Sequence, residues 1–363
     1  MNQLIKVLHS ELQDSIGGIE SFLYNLLQCV DRNQVQFDFL MRGENEQFEK
    51  KLTDLGANIY KVPSNYIEYI TKVKRILREQ DYDIVHIHKN SAANIILPKI
   101  VKSTSKAKLI VHSHNTSPSS GSKLLLLLHK MNRNKLYNLA DYYFACSDLA
   151  AEWMFGKAYK YKNVKIVKNG IIVQNFAYNP NIRIDMRKKM GIENDFVIGH
   201  VGAFRKQKNQ EYLLEILSKL PLKNTKLFFV GQGDFLEYVK EKSTKYHEDD
   251  RVRFLGSRSD ISNLLQAFDV FVMPSLWEGL SVAAIEAQAS GLPVLLSDKV
   301  SKKSKITKNV SFYSLDNLDS WIKAIIDIDK NFVRRDVIKE IREAGYDMQD
   351  TATMITDFYK KIC

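Results

Sequence analysis

The sequence predicts an α/β protein built from two doubly wound, Rossmann-like domains that face each other across a cleft. Strand-like apolar runs alternate with helical patterns along the chain, and this alternation is typical of parallel sheets covered by helices. The series of strands restarts near residue 196, after a polar stretch at 175–195. The length of 363 residues also exceeds one ordinary core and suits two domains of about 150–200 residues each.

Each domain is defined by its own set of candidate strands. The first set comprises LIKVLH (4–9), VQFDFLM (35–41), IVHIH (84–88), LIVHSH (109–114), YYFAC (142–146) and VKIVKN (164–169). The second set comprises FVIGHVG (196–202), KLFFVG (226–231), VRFLG (252–256), DVFVMP (269–274) and PVLLS (293–297). Continuous apolar runs match strands that are buried on both faces. We therefore place the first domain at residues 1–175, the second at 176–345, and a last helix at 346–363 that crosses back to the first domain.

The composition indicates a globular protein of the cytoplasm. Hydrophobic residues make up 45% and aromatic residues 10% of the chain, which argues against disorder. We expect no secretory signal, because the first candidate strand begins almost at once. The five leucines at 124–128 are far fewer than the roughly 20 apolar residues that span a bilayer. The scattered Cys29, Cys146 and Cys363 predict neither a disulfide framework nor a zinc site.

The excess of positive charge is concentrated in one segment. Residues 85–170 carry 14 Lys and Arg against 3 Asp and Glu, a difference equal to the net charge of +11 of the whole chain. Within this segment, GSKLLLLLHKMNRNKLYNL (121–139) mixes a leucine run with basic residues. One interpretation is a surface that docks on anionic lipid at the inner face of the cell membrane; the other is a solvated helix whose leucines face the core. Nucleic acid is not a predicted partner, because no nucleic-acid-binding motif accompanies the charge.

Residues 273–293, MPSLWEGLSVAAIEAQASGLP, carry most of the information about function. An apolar strand precedes them, and a tight turn and a helical pattern follow. Glu278 lies in the turn, and Glu286 lies eight residues later in the helix. A helix N-terminus reached through a glycine turn offers free N–H groups and partial positive charge to a phosphate. Two acids around such an anion site suit a ligand with both hydroxyls and phosphates, as nucleotide sugars have.

A basic loop is the second candidate element. In GHVGAFRKQKNQEYLLEI (199–216) a strand ends at Gly202, and Arg205 and Lys208 follow it. Arg can grip a diphosphate with two hydrogen bonds, and Lys supplies a compact charge. An isolated basic loop is usually only solvated. Here the acid motif follows about 70 residues later on the same predicted sheet edge, which favours a binding role.

Two further patterns argue against other enzyme classes. Gly17 and Gly18 follow the first strand and would let the backbone approach a ligand, but they do not form the G-x-G-x-x-G fingerprint of nicotinamide enzymes. The D-x-D strings at 81–83 and 327–329 precede a strand and lie in a helix-like surface stretch, so we interpret both as solvated acids rather than metal ligands.

The first domain also supplies histidines in pairs: His86 and His88 in IVHIH, and His112 and His114 in IVHSHNTS. A spacing of two places each pair on one face of its strand. A metal cluster is disfavoured, because no carboxylate accompanies the pairs. His114 ends its strand before a polar loop, and we predict that its neutral imidazole bonds a sugar hydroxyl. The other three are predicted to be structural.

Taken in order, these segments resemble the family-4 retaining glycosyltransferases of the two-domain GT-B fold. The likeness is greatest to the bacterial enzymes that build capsular and exopolysaccharide repeat units. The matching segments of the first domain are GGIESFLYNLL (17–27), DIVHIH (83–88), HSHNTS (112–117), ACSDLAAEWMFG (145–156) and KNGI (168–171). Those of the second are VGAFRKQKN (201–209), FVGQGD (229–234), FLGSRSDI (254–261) and PSLWEGLSVAAIEAQASGLPV (274–294), whose E-x7-E spacing is the most specific.

The resemblance implies roles for the matching residues, with the nucleotide-sugar site in the interdomain cleft. Glu286 would hold the ribose hydroxyls, and Glu278 would contact the donor sugar and phosphates. The implied catalytic residues are His114, Arg205, Lys208 and Glu278. The implied donor-binding residues are Gly17, Gly18, Gly202, Arg205, Lys208, Gly231, Gly233, Arg258, Ser275, Glu278, Gly279, Leu280, Ser281, Val282 and Glu286. Such enzymes need no metal and no cofactor, and the nucleotide sugar is a substrate.

Two positions depart from the family pattern. The arginine that often follows the first glycine of V-G-R-F is Ala203 here, so Arg205 would have to replace it from two residues on. The acid of N-G-x-D is Ile172. The sequence thus predicts a cytoplasmic, membrane-associated enzyme that moves a hexosyl unit from a UDP-sugar to a lipid-linked glycan with retention. The alternatives are a sugar-nucleotide epimerase of the same fold and a non-catalytic protein that binds nucleotides or nucleic acid.

Overall fold

A computed structural model describes residues 4–13, 17–116, 122–157, 163–245 and 251–363. The chain divides into two compact units. The first contains Met1–Gly170 together with Met348–Cys363, and the second contains Ile171–Asp347. For comparison, the sequence places the boundaries at residues 175 and 345.

The first unit is a parallel sheet with helices between its strands. Its described strands are β1 (Ile5–Leu12), β2 (Val35–Met41), β3 (Asn58–Lys61), β4 (Ile84–Lys89), β5 (Lys108–Ser113), β6 (Tyr142–Ala145) and β7 (Val164–Ile166). Its described helices are α1 (Gly18–Cys29), α2 (Glu46–Thr53), α3 (Tyr66–Glu79), α4 (Ile96–Thr104), α5 (Lys123–Leu139), α6 (Asp148–Phe155) and, from the end of the chain, α14 (Met348–Ile362).

The strand order of this sheet is β3-β2-β1-β4-β5-β6-β7, with every neighbouring pair parallel. The order reverses between β1 and β4, which makes their carboxyl ends the topological switch point. Helix α14 packs against α1, and its Tyr359 is fully buried. The last helix therefore belongs to the core of the first unit.

The second unit repeats this architecture. Its described strands are β8 (Phe196–Val201), β9 (Thr225–Val230), β10 (Val252–Phe254), β11 (Val270–Met273), β12 (Val294–Ser297) and β13 (Val310–Tyr313). Its described helices are α7 (Pro180–Met190), α8 (Glu211–Lys219), α9 (Leu236–Lys245), α10 (Ile261–Ala267), α11 (Val282–Ala289), α12 (Leu318–Asn331) and α13 (Ile338–Glu343). The order β10-β9-β8-β11-β12-β13 is again parallel and reverses between β8 and β11.

The structure confirms the predicted class of two parallel-sheet α/β domains. The central strands are mostly buried, and all four residues of β11 are buried. The sequence prediction missed β3 and β13, which are short edge strands with partly exposed side chains. Edge strands lack the continuous apolar runs on which the prediction relied. No helix in the described part of the chain is long and apolar enough to cross a membrane.

Candidate active site

The candidate site of the second unit lies where its strand order reverses. β8 ends at Val201 and β11 ends at Met273, and these two strands are neighbours in the sheet. The loops that follow them therefore leave the same edge side by side. In open parallel sheets ligands bind at this edge, in the crevice opened by the diverging connections. The basic loop and the acid motif thus meet where the topology provides a ligand site.

The two loops are joined by an ion pair and by backbone contacts. Lys208 Nζ donates to Glu278 Oε2, and both side chains are largely buried, with exposed fractions of 17% and 16%. Gln207 Nε2 donates to the carbonyl of Trp277 at 2.8 Å, and the Gln207 carbonyl accepts from Leu276 N at 2.8 Å. The charge of Lys208 is therefore held at a fixed place beside the turn that carries Glu278.

Local backbone geometry fixes the position of Lys208 beside the acid loop, whereas Arg205 is exposed to solvent. Residues Lys206–Lys208 form a single 3-10 turn, which ends at Asn209 in the left-handed conformation with φ 53°. Asn209 Nδ2 donates to Pro274 O at 3.1 Å and locks this turn onto the acid loop. Arg205 is exposed, and within the described residues its guanidinium has no hydrogen-bond or ion-pair partner. The structure brings Lys208 and Glu278 together but leaves Arg205 outside the pair.

The acid helix begins directly after the turn. Ser281 is the N-cap residue of α11, and its side chain accepts from Ala284 N. The remaining N–H groups of a first helical turn have no partner within the helix and carry its positive dipole end. A Cβ added at Gly279 would meet no atom within 4 Å, so the approach to this turn is open. A phosphate placed here would contact N–H donors close to the Lys208 ammonium.

Glu286 lies in α11, one turn beyond the cap. Its carboxyl group is partly accessible but lies among densely packed atoms, and this desolvation raises its pKa to about 7. Within the described residues it has no hydrogen-bond or ion-pair partner. An unpaired carboxyl group that is costly to desolvate gains most from a ligand that supplies hydroxyl donors. A ribose is such a ligand.

A buried histidine completes the floor of this site. His200 Nδ1 lies 2.8 Å from the carbonyl of Val272, which can only accept, so Nδ1 carries the proton. The lone pair of Nε2 has no hydrogen-bond partner among the described residues. Burial, together with the nearby charge of Lys208, lowers the pKa of His200 to about 4. The imidazole is therefore neutral. It ties β8 to β11 at the switch point.

In the first unit, histidines from three adjacent strands form one hydrogen-bonded chain. His9 Nδ1 lies 3.0 Å from His88 Nε2, and His88 Nδ1 lies 2.9 Å from His114 Nε2. His114 Nδ1 in turn lies 3.3 Å from Asn169 Oδ1. His86 stacks on His88 and shares a hydrogen bond with the Tyr359 hydroxyl.

The two ends of this row of hydrogen bonds, His9 and Asn169, determine which ring nitrogen of each histidine carries the proton. Asn169 Oδ1 only accepts, so His114 Nδ1 donates and its Nε2 accepts from His88. His88 then accepts from His9, whose Nε2 is left as a buried lone pair without a partner in the described residues. The opposite direction would leave a buried N–H without an acceptor, which is rarer in proteins. Burial lowers the pKa of His114 to about 4 and that of His9 to about 3, so the chain is neutral.

These histidines are also the candidate metal ligands of the described residues. Ring nitrogens of His9, His86 and His88 lie within 4.8 Å of one another, and so do those of His88, His112 and His114. Neutral imidazole suits zinc and related transition metals. The hydrogen bonds from His9 to Asn169 already use nitrogens of both groups, and a metal ion would have to displace protons from them. That the pairs converge in space is a feature the sequence did not reveal.

Comparison with known proteins identifies the family of this fold and site. Residues 16–175 match the family described as Glycosyltransferase Family 4, and residues 182–343 match Glycosyl transferases group 1. EpsF of Bacillus subtilis (strain 168), which is named as a glycosyltransferase, is 30% identical over 372 residues, covering 98% of this chain and 96% of EpsF. This chain belongs to glycosyltransferase family 4.

Two further relatives show how far the likeness extends. An Escherichia coli enzyme named UDP-Gal:alpha-D-GlcNAc-diphosphoundecaprenol alpha-1,3-galactosyltransferase is 26% identical over 387 residues, covering 98% of this chain and 96% of that enzyme. The crystal structure of Anabaena Alr3699/HepE in complex with UDP-glucose superposes with a TM-score of 0.73 at 19% identity, covering 99% and 98% of the two chains. The structural likeness confirms the predicted GT-B class for this glycosyltransferase.

Several predicted donor-binding residues of the glycosyltransferase shape the loops of the site through their packing. Gly231 and Gly233 have φ of 142° and 152°, and a Cβ on them would lie 2.1 Å from Gly202 O and 2.4 Å from Phe204 O. Glycine is required here because the loop after β9 packs directly on the loop after β8. Ser275 is fully buried, and its carbonyl accepts from Ser297 Oγ. Contact of these residues with a donor stays a prediction.

Arg258, Gly17 and His114, which are also predicted site residues, already have hydrogen-bond partners within the glycosyltransferase. Arg258 is bound by Asp260 through hydrogen bonds of 2.8 and 2.7 Å, so its charge is already paired. Gly17 N donates to the buried Glu20 at 3.0 Å, whereas a Cβ on Gly18 would meet no atom within 4 Å. His114 uses both ring nitrogens within the protein, so a hydrogen bond to a sugar requires it to release His88 or Asn169.

Sequence reasoning missed His9 and His200. Both lie near the carboxyl ends of central strands, in LIKVLH and FVIGHVG, and both are fully buried. A histidine at the end of a central parallel strand beside a glycine loop is the signal that could have singled them out.

Proposed function

We propose that this glycosyltransferase transfers a hexosyl unit from a UDP-sugar to a lipid-linked glycan, with retention at the anomeric carbon, in the synthesis of a capsule or exopolysaccharide. The observation that carries the proposal is the Lys208–Glu278 pair at the switch point of the second unit, directly before the N-terminus of α11. This arrangement offers a cation and free N–H groups for a diphosphate, and carboxylates for the hydroxyls of a sugar.

The donor is proposed to lie with its diphosphate at the start of α11. The turn before Ser281 would receive the phosphates, and Glu286 would accept hydrogen bonds from the ribose hydroxyls. The uridine base is supported by the two relatives whose names contain UDP-sugars, the Escherichia coli galactosyltransferase and the Anabaena protein. In the free protein Glu278 neutralises Lys208, so donor binding would redirect the ammonium from the carboxylate to the diphosphate.

The proposed reaction breaks the bond between the anomeric carbon and the diphosphate oxygen. The electron pair leaves with that oxygen, where Lys208 and the helix N–H groups stabilise the growing negative charge. The acceptor hydroxyl attacks on the same face, which retains the configuration, and its proton passes to the departing phosphate. This scheme assigns the charge stabilisation to the protein, and we propose that turnover needs no divalent metal.

The acceptor is proposed to be a sugar on a lipid diphosphate. The Escherichia coli relative is named for such an acceptor, a GlcNAc-diphosphoundecaprenol. The basic segment 85–170 of this chain gives the first unit the charge that a diphosphate needs as a counterion. The proposal places the enzyme in the cytoplasm, at the membrane where such lipids reside.

The test uses a panel of UDP- and GDP-sugars, first for thermal stabilisation of the protein and then for nucleotide release with and without EDTA. Replacing Lys208 with Ala removes a charged contact worth about 1.5–3 kcal/mol, so release of UDP is expected to fall about 10- to 150-fold. Lys206→Ala, an exposed lysine of the same turn, is the matched control and is expected to keep wild-type release.

Two outcomes would contradict the proposal. Equal rates for Lys208→Ala and Lys206→Ala would remove the assigned role of the ion pair. An isomerised nucleotide sugar without any glycoside product would indicate an epimerase instead. Proton NMR of the anomeric signal of the new glycoside decides between retention and inversion.

A further inference from the structure

Helix α5 has an apolar stripe on its solvent face. Leu124, Leu127 and Met131 are 64%, 54% and 57% exposed. They are spaced i, i+3 and i+7, so they share one face of the helix. Scattered exposed leucines are ordinary on a protein surface, but a continuous exposed stripe costs hydration free energy unless something covers it.

The stripe cannot be buried by rotating α5, because the opposite face is already fixed. His129 and Leu136 are buried against the unit. The His129 ring stacks on Trp153 at 3.8 Å, and its Nδ1 accepts from Ala92 N at 3.0 Å. The sequence left open whether the leucines face the core, and the structure places Leu124 and Leu127 on the outside.

Lysines flank the stripe. Lys123, Lys130 and Lys135 are exposed, and within the described residues none of them has an acidic partner. They belong to the segment 85–170 that holds 14 Lys and Arg against 3 Asp and Glu. An apolar stripe between unpaired lysines is complementary to one surface in particular, the interface of an anionic bilayer.

The position of α5 in the fold suits that partner. The helix follows β5, and helices that follow parallel strands start at the carboxyl edge of the sheet. This is the edge at which β5 ends and His114 begins the next loop. The stripe lies in the first half of α5, so it lies towards the edge from which a membrane-bound acceptor would be received.

We propose that the outer face of α5, formed by Leu124, Leu127 and Met131 with Lys123, Lys130 and Lys135, docks this protein on an anionic lipid surface. The apolar side chains insert among the acyl chains at the boundary, and the lysines contact the headgroups. This docking goes beyond the proposed transfer reaction and can be tested without any donor or acceptor.

The test is flotation of the full chain with vesicles of phosphatidylcholine alone or mixed with phosphatidylglycerol. The wild-type protein is expected to bind the mixed vesicles and not the neutral ones, and salt is expected to weaken binding. Each lysine near an anionic surface strengthens binding about fivefold, so the K123Q/K130Q/K135Q variant is expected to bind roughly a hundredfold more weakly. The L124Q/L127Q/M131Q variant is expected to lose at least about tenfold, because partial burial of three apolar side chains is removed.

Matched controls change the same numbers of exposed residues elsewhere. I67Q/I184Q/V333Q removes three exposed apolar side chains, and K50Q/K51Q/K360Q removes three exposed lysines of the first unit that lie outside the segment 85–170. Both controls are expected to float like the wild type, and all variants are expected to keep its thermal midpoint. The proposal is overturned if the wild-type protein does not float with the anionic vesicles. It is also overturned if L124Q/L127Q/M131Q binds these vesicles as strongly as its control I67Q/I184Q/V333Q. A stripe variant that instead turns a dimer into a monomer in sedimentation would assign the face to a second copy of the chain.

Discussion

Replacing Glu286 with Gln is expected to stabilise the free protein while weakening donor binding. Desolvation raises the pKa of this carboxyl group from its ordinary 4.5 to about 7. In the unfolded chain the group ionises near 4.5, so between these values the folded state binds more protons than the unfolded state. Stability therefore falls as the pH rises through this window and is lowest above pH 7.

The magnitude follows from the size of the rise. At about 1.4 kcal/mol per pH unit, the desolvated charge costs up to about 3 kcal/mol above pH 7. Gln cannot ionise, so the variant avoids this cost at pH 8 and has almost the wild-type stability at pH 4.5. For a unit of this size about 1 kcal/mol corresponds to about 2–4 °C in Tm. An increase in Tm of several degrees at pH 8 is therefore expected.

The assay is thermal unfolding of the wild type and the variant from pH 4.5 to 8, followed by donor titration at pH 8. Glu241→Gln, which neutralises an exposed glutamate of the same unit, is the control for net charge. The loss of a hydrogen-bonded carboxylate is expected to weaken donor binding by about 1.5–3 kcal/mol. A variant whose Tm tracks that of the wild type at every pH would refute the reasoning about burial. A variant that is more stable yet binds the donor unchanged would refute the ribose role alone.

Two further predictions test the supports of the sites. Gly231→Ala is expected to lower the free energy of unfolding by at least about 2 kcal/mol, because the added Cβ would lie 2.1 Å from Gly202 O. Gly279→Ala is the control, since a Cβ there would meet no atom within 4 Å. Urea unfolding of the two variants measures the difference, and equal midpoints would contradict it. Asn169→Asp is expected to raise the pKa of His114 from about 4 by at least about one unit, because a carboxylate beside Nδ1 favours the imidazolium. NMR titration of the His114 ring measures this pKa. An unchanged pKa would contradict the hydrogen-bonded chain of histidines.

That Lys208 and Glu278 lie at the same edge of the sheet was predictable from the sequence. Each residue follows a strand that the apolar pattern identifies, and parallel strands end at a common edge. What the pattern lacks is the order of strands. That β8 lies beside β11 depends on sheet pairing between distant segments, and only this pairing brings Lys208 onto Glu278 while Arg205 stays outside.

The hydrogen bonds among the histidines, in contrast, could not be predicted from the sequence. The alternation in IVHIH and HSH predicts which side chains share a face of one strand, but it says nothing about the neighbouring strand. His9 joins His88 only because β1 pairs with β4, and His88 joins His114 only because β4 pairs with β5. A histidine in an apolar run is equally compatible with the core, and for that reason His9 and His200 were missed.

The sequence by itself determined the class of fold, the strands that end in functional loops and the family, because hydrophobic periodicity and short motifs are local properties of the chain. The tertiary structure alone decided which charges are paired, which histidine nitrogens are used and which face of α5 meets solvent. These depend on burial and on contacts between residues far apart in sequence, and the free energy of a charge or an apolar side chain is fixed by its surroundings rather than by its neighbours in the chain.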